Sequence, residues 1–217
     1  MKTTTIEKAT AIFQQHSGML RTFQAIRLGI APRTLYALRD AGQIVEVTRG
    51  VYRLPDTPST EHLDLIQVAL RIPKGVICLI SALAFHNLTT QIPHQVYVAL
   101  PLDAEKPRLV YPPVRLFWLS PPVYSAGIEE HLLDGVIVRL YSREKTIADC
   151  FKYRNKVGLD VALEALKEGL SQGCKLETLI EFARIDRVEK TMRPYLEALR
   201  RVNLKSRTFR LRSKTAC

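Results

Sequence analysis

The chain has 217 residues, enough for one large domain or two with a substantial core, and a formal net charge of +11. A pI near 9.7 favours an anionic partner, nucleic acid or a membrane surface. The longest apolar run, Val76 to Phe85, is too short for the roughly 20 residues of a bilayer span, and the polar start MKTTTIEKAT lacks the apolar stretch of a signal peptide. Membrane is therefore the weaker option. Four widely spaced cysteines (Cys78, Cys150, Cys174, Cys217) fit reduced thiols in a cytoplasmic protein better than a disulfide framework.

In chain order, Ile6, Ala9, Ile12 and Phe13 form an apolar stripe at helical spacing within residues 3–16. The stretch Gly18 to Leu54 then reads as two short helices, a tight turn and two short strands. Thr22 suits the cap of the first helix and Gly29 its end. Pro32 suits the first turn of the next helix, which Gly42 ends. Ile44 to Thr48 and Val51 to Leu54, rich in β-branched residues, predict a hairpin turning at Arg49-Gly50. Helix, turn, helix, hairpin is the order of a winged helix-turn-helix.

At about 100° per residue, Leu35, Leu38 and Gly42 share the core side of the second helix. Arg33, Ala37 and Asp40 fall opposite, with Tyr36 beside them, while Arg39 lies near the core side and is a poorer base reader. Arg33 can make a bidentate contact to guanine, and Ala37 can meet a thymine methyl. Arg49 and Arg53 of the hairpin are placed to reach phosphate or the minor groove. The expected DNA-contacting set is Arg33, Thr34, Tyr36, Ala37, Arg49 and Arg53. The plainer alternative is a small helical hairpin with solvated arginines.

Pro55 to Thr60 is a linker by composition, so a DNA-binding domain is expected over 1–56 and a second domain over 61–202. In the second, Leu63, Ile66 and Leu70 mark a helix halted by Pro73 and Gly75, and Ser81 suits the cap of a helix from Ala82 to Leu88. Strands are expected at Gln95 to Leu100 and Val114 to Leu119, with a loop from Pro101 to Pro113 between them. Ile128 to Leu133 and Val136 to Tyr141 form the clearest hairpin, since Asp134-Gly135 suits a type I′ turn. Helices follow at Arg143 to Tyr153, Leu159 to Leu170 and Leu176 to about Val188, then Glu189 to Val202, kinked or restarted at Pro194. The expected fold class is α+β: a winged helix-turn-helix, then a small, mostly antiparallel sheet with several helices. A basic tail over 203–217 ends the chain. From Arg200 onward there are seven basic residues and no acidic one, which suits either a solvated tail or an arm along DNA phosphates.

Signals for catalysis, cofactor or metal are poor. No CxxC, HxxxH, HExxH or Walker loop occurs. His86 and His94 are close enough in sequence to share a site, but no acidic third ligand stands near them. Asp103 and Glu105 with Lys106 faintly suggest a metal-dependent nuclease, yet Pro107 stands where its lysine belongs. Asp149 and Cys150 suit capping or packing better than catalysis. The expectation is no enzyme, no cofactor and no metal.

The pattern L-x-x-G-I-x-x-x-T-L-Y-x-L, with Ile26 in the first position, and Arg49-Gly50-Val51-Tyr52-Arg53 resemble the N-terminal domain of AbiEi-type antitoxins. The second domain is similar to that family at Pro73 to Leu79, Ser81 to Thr89, Ala148 to Asp160 and Met192 to Glu197. The resemblance covers residues 5 to about 200. It implies a cytoplasmic transcriptional autorepressor and antitoxin of type IV. Its N-terminal domain would bind inverted repeats in its own promoter, and its C-terminal domain would counter a nucleotidyltransferase toxin encoded alongside, with no stable complex required. The alternatives are a DNA-targeted enzyme such as a nuclease, or a plain regulator without a toxin partner.

Overall fold

The computed structural model describes residues 3–16, 18–56 and 62–199. Residues 57–60 of the expected linker, residue 61 and the whole basic tail lie outside the described residues. Contacts divide the chain into a first unit, residues 1–73 with 130–138, and a second, residues 74–129 with 139–217.

The first unit begins with α1 (Thr3–Gln15), β1 (Met19–Arg21), α2 (Thr22–Arg27) and α3 (Pro32–Asp40). It continues with β2 (Val45–Thr48), β3 (Val51–Arg53) and α4 (Leu63–Arg71). Ala9 and Phe13 of α1 pack with Leu20, Ala25, Leu35, Leu38, Ile44 and Tyr52 in one apolar cluster. Burying each of the larger side chains contributes about 1.5–3 kcal/mol, which holds three short helices that would be unstable alone. Sequence patterning had not indicated β1. It pairs antiparallel with β3, making β3 the centre of a three-stranded sheet in the order β1-β3-β2.

Two local expectations change. Thr22 does not cap α2; Arg21 holds the cap position, and its N–H donates to the Gln24 side chain. Gly42 lies beyond α3 in a left-handed turn and is exposed, where continued helical geometry would have put it in the core.

In the second unit and the strands continuous with it come β4 (Val76–Ile77), α5 (Leu79–Phe85), β5 (Val96–Pro101), β6 (Val114–Leu119) and α6 (Pro121–Ser125). Then follow β7 (Ile128–Leu133), β8 (Val136–Tyr141), α7 (Arg143–Lys152), α8 (Arg154–Val157), α9 (Leu159–Ser171) and α10 (Leu176–Ile185). A last helix over 189–199 runs through Pro194 without interruption.

The five strands order as β6-β5-β4-β8-β7. The sheet is mixed rather than mostly antiparallel: β5 runs parallel to β6 and β4 parallel to β8, with only β4 and β5 pairing antiparallel among the inner strands. A two-residue turn forces antiparallel neighbours, as at Asp134-Gly135, where both residues have positive φ (45° and 73°). The longer connection from Pro101 to Val114 imposes no such direction.

Ser81 is inside α5, not its cap. Its hydroxyl donates to the Gln95 carbonyl (3.4 Å) and accepts the Tyr97 N–H (3.0 Å), tying helix to strand. The Ser142 side chain does cap α7, accepting from the Lys145 N–H. Helix α7 packs against α5, α9 and α10 and is buried from Lys145 to Phe151.

Candidate nucleic-acid interface

Helix α3 is held by its inner side. Leu35 and Leu38 are fully enclosed, and Pro32 starts the helix where its missing N–H costs nothing. That anchoring leaves Arg33, Tyr36, Arg39 and Asp40 exposed, with Thr34 and Ala37 half-buried between them. Arg39 is thus on the outer surface, not near the core. Its guanidinium is already engaged: it donates to Asp40 Oδ1 at 2.8 and 2.9 Å, lies 3.9 Å from Glu46 Oε2, and sits 5.3 Å from the centre of the Tyr36 ring. The hydrogen bond and charge of Asp40 favour its cationic form further.

The turn between β2 and β3 places Arg49 at its exposed tip. Gly50 follows with φ +75°, and a Cβ there would approach the Thr22 hydroxyl to 3.2 Å. The positive φ favours glycine, and a side chain there would also press on the Thr22 hydroxyl. The Gly50 carbonyl accepts from the Thr22 N–H (2.9 Å) and hydroxyl (3.2 Å), while its own N–H donates to Glu46 Oε1 (2.9 Å). Arg53 is at the other end of β3, half-buried and opposite Met19 and Val45. The structure therefore gathers Arg33, Thr34, Tyr36 and Ala37 on one helix and Arg49 on a turn tip, and does not bring Arg53 to that tip. Sequence reasoning missed Glu46 and gave Thr22 a helix-capping role instead of its bonds to Gly50. The only signal for Glu46 was a lone acid four residues before the turn glycine.

The second unit holds a different cluster. Lys145, fully buried, donates to Asp149 Oδ1 at 2.5 Å and to both oxygens of Asp186 at 3.2 Å, beneath the Tyr141 ring at 4.8 Å. Lys152 stands 3.7 Å from Asp186 Oδ1. Asp149 Oδ2 is buried without a hydrogen-bond partner among the described residues. Burial above all pushes the Asp149 carboxyl up to about 7, against the opposing pull of Lys145. Burial likewise pushes the Cys78 and Cys150 thiols well up, which makes them poor nucleophiles. Asp149 is therefore an ion-pair partner, not a cap. His86 places Nε2 2.8 Å from the Tyr141 carbonyl, whereas His94 lines a separate hollow with Ile92 and Tyr97. Asp103 and Glu105 lie exposed on the loop after β5. Among the described residues no group of three or more His, Cys, Asp and Glu could hold a metal ion, and no helix is long and apolar enough to cross a membrane.

Charge separates along the chain. Residues 1–56 carry eight Lys and Arg against four Asp and Glu, residues 57–199 seventeen against seventeen, and residues 200–217 seven against none. All the net positive charge is at the two ends.

Residues 7–55, the span of α1 to β3, match the family model described as "Transcriptional regulator, AbiEi antitoxin". No curated protein matches the chain. Among solved structures, the RV2827C protein from Mycobacterium tuberculosis has a similar fold, with a TM-score of 0.56 at 14% identity. That similarity covers 82% of this chain and 71% of that one.

Proposed function

We propose that residues 1–56 form a winged helix-turn-helix and that the chain is a transcriptional autorepressor and antitoxin. It binds inverted repeats in its own promoter and counters a nucleotidyltransferase toxin encoded beside it. The observation that carries this reading is an α3 fastened by Leu35 and Leu38 with Arg33 and Tyr36 left outward, inside a segment matching the AbiEi family model.

In this reading α3 enters the major groove. Arg33 reads guanine, Ala37 meets a thymine methyl, Thr34 and Tyr36 contact the adjoining backbone or bases, and Arg49 meets phosphate. Arg53, half-buried, is the weakest contact of the set. Residues 61–202 supply the antitoxin function, and a stable complex with the toxin is not required. The near balance of charge over residues 57–199 supports a role other than holding phosphate. The tail adds an electrostatic arm.

Two measurements test this. Duplex DNA from upstream of the reading frame should bind more tightly than mixed-sequence duplex, and affinity should fall steeply with salt as counterions are released. A chain cut after Val202 should give a gentler slope; equal slopes remove the tail from the interface. Co-expression of the full chain with a neighbouring nucleotidyltransferase should restore colony formation. Failure of rescue by folded, abundant protein would end the antitoxin reading, and metal-dependent cleavage of plasmid DNA would favour a nuclease instead.

A further inference from the structure

Glu46 stands where three pieces of the proposed DNA-binding surface meet. Oε1 accepts the Gly50 N–H at 2.9 Å, at the turn that carries Arg49. Oε2 faces the Arg39 guanidinium of α3 at 3.9 Å. Beyond Gly50, the same turn is fastened to the start of α2 through Thr22. Strand β2 is irregular between Glu46 and Thr48, so regular strand pairing is interrupted in the stretch leading to the turn. A two-residue turn at the end of such a strand has little of its own to fix its direction.

A carboxylate on a surface meant for DNA is otherwise a liability, because it repels phosphate. Glu46 and Asp40 both lie there, and Arg39 neutralises them from between. Arg39 is partnered by its own acids, and Arg49, at the exposed tip, is the cation the turn offers to phosphate.

We propose that Glu46 is a positioning residue: by accepting the Gly50 N–H it braces the turn, so that Arg49 meets phosphate at a fixed place relative to the bases that Arg33 reads. This rests on reading the module as DNA-binding. Without the brace, Arg49 must be ordered at the moment of binding, and its contact is lost to the entropy of the loosened turn.

The test is a salt titration of the full chain on mixed-sequence duplex, in a double-mutant cycle of Glu46 with Arg49. Loss of one phosphate contact lowers the slope of log K against log salt by about 0.9. Arg49→Ala should do this in the native background. Glu46→Ala should do it too, and adding Arg49→Ala should then change nothing further. Glu46→Gln keeps an oxygen for the Gly50 N–H and should keep the native slope. A native slope in Glu46→Ala, or an equal drop from Arg49→Ala in both backgrounds, overturns the proposal. So does a Glu46→Gln slope as low as that of Glu46→Ala.

Amide exchange at Gly50 checks the brace without DNA: faster in Glu46→Ala, unchanged in Glu46→Gln. Exchange unaffected by Glu46→Ala also overturns the proposal. A native chain that shows the exchange pattern but binds no duplex at all instead removes the DNA-binding reading. Thr22→Val, which loosens the turn from its other side, should lower the slope in the same way even if Glu46→Ala folds poorly.

Discussion

Arg39 with Asp40 and Glu46, and Lys145 with Asp149 and Asp186, are the same chemistry in opposite surroundings: a cation between two carboxylates, with Lys152 as a second, partly exposed cation beside Asp186. In the first, the side chains are 39%, 67% and 33% exposed; in the second, the cation and both carboxylates are essentially sealed from solvent. At the surface, water and salt screen the charges, so such pairs are worth about 0–1 kcal/mol and exchange partners readily. In the interior, desolvation makes the ions costly, and removing one partner leaves another stranded. The exposed cluster therefore shapes the outer face of α3, and the buried one joins α7 to the end of α10.

The largest effect should come from the interior. Lys145→Ala removes the cation shared by Asp149 and Asp186, leaves only Lys152 beside Asp186, and should cost about 3–5 kcal/mol in denaturant unfolding of the full chain. A loss under about 1 kcal/mol would erase the distinction between the two clusters.

Next in size is the reading face. Arg33→Ala should cost about 1–3 kcal/mol on upstream DNA and relax preference at one base position, measured by competition with substituted duplexes. An equal loss on unrelated DNA would move base reading away from Arg33. Unfolding stability should hardly change.

A third test uses pH. The Asp149 carboxyl binds its proton more tightly folded than unfolded, so its contribution to stability is fully present below about 3.8 and lost as pH rises to about 7. The stability of the native chain should therefore drift downward across that window relative to Asp149→Asn, which lacks the titrating group. Parallel pH profiles for the two would place this carboxyl in its ordinary range. The smallest effect belongs to Arg39→Ala, expected to change unfolding stability by no more than about 1 kcal/mol. Several times that loss would mean the exposed cluster holds the fold as the buried one does.

Local chemistry was legible wherever it acts over a few residues. The burial of Leu35 and Leu38 follows from helical spacing and leaves Arg33 and Tyr36 outward. The hairpin β7–β8 follows from Asp134-Gly135, whose turn alone sets direction and register. The starts of α7, α9 and α10 came from the helical pattern of the sequence, while the Ser142 cap of α7 came from the structure. Exposure of Arg39 escaped that reasoning because its angular position borders both faces, and pairing with Asp40 and Glu46 decided it.

What only the tertiary structure decided were pairings across long sequence separations. Strands β1 and β4 have three and two residues, too few for any period, and exist because β3, β5 and β8 supply their hydrogen bonds. Arg53 became half-buried because β1 closes the sheet on the far side of β3. The same is true of the two clusters: nothing near Lys145 in sequence announces Asp186, 41 residues away, and nothing near Thr22 announces Gly50, 28 residues away. Periodicity and turn residues report which way a side chain faces along its own segment. Which distant group it then meets depends on how segments pack, where hydrophobic burial draws them together and each polar group enclosed must find a partner.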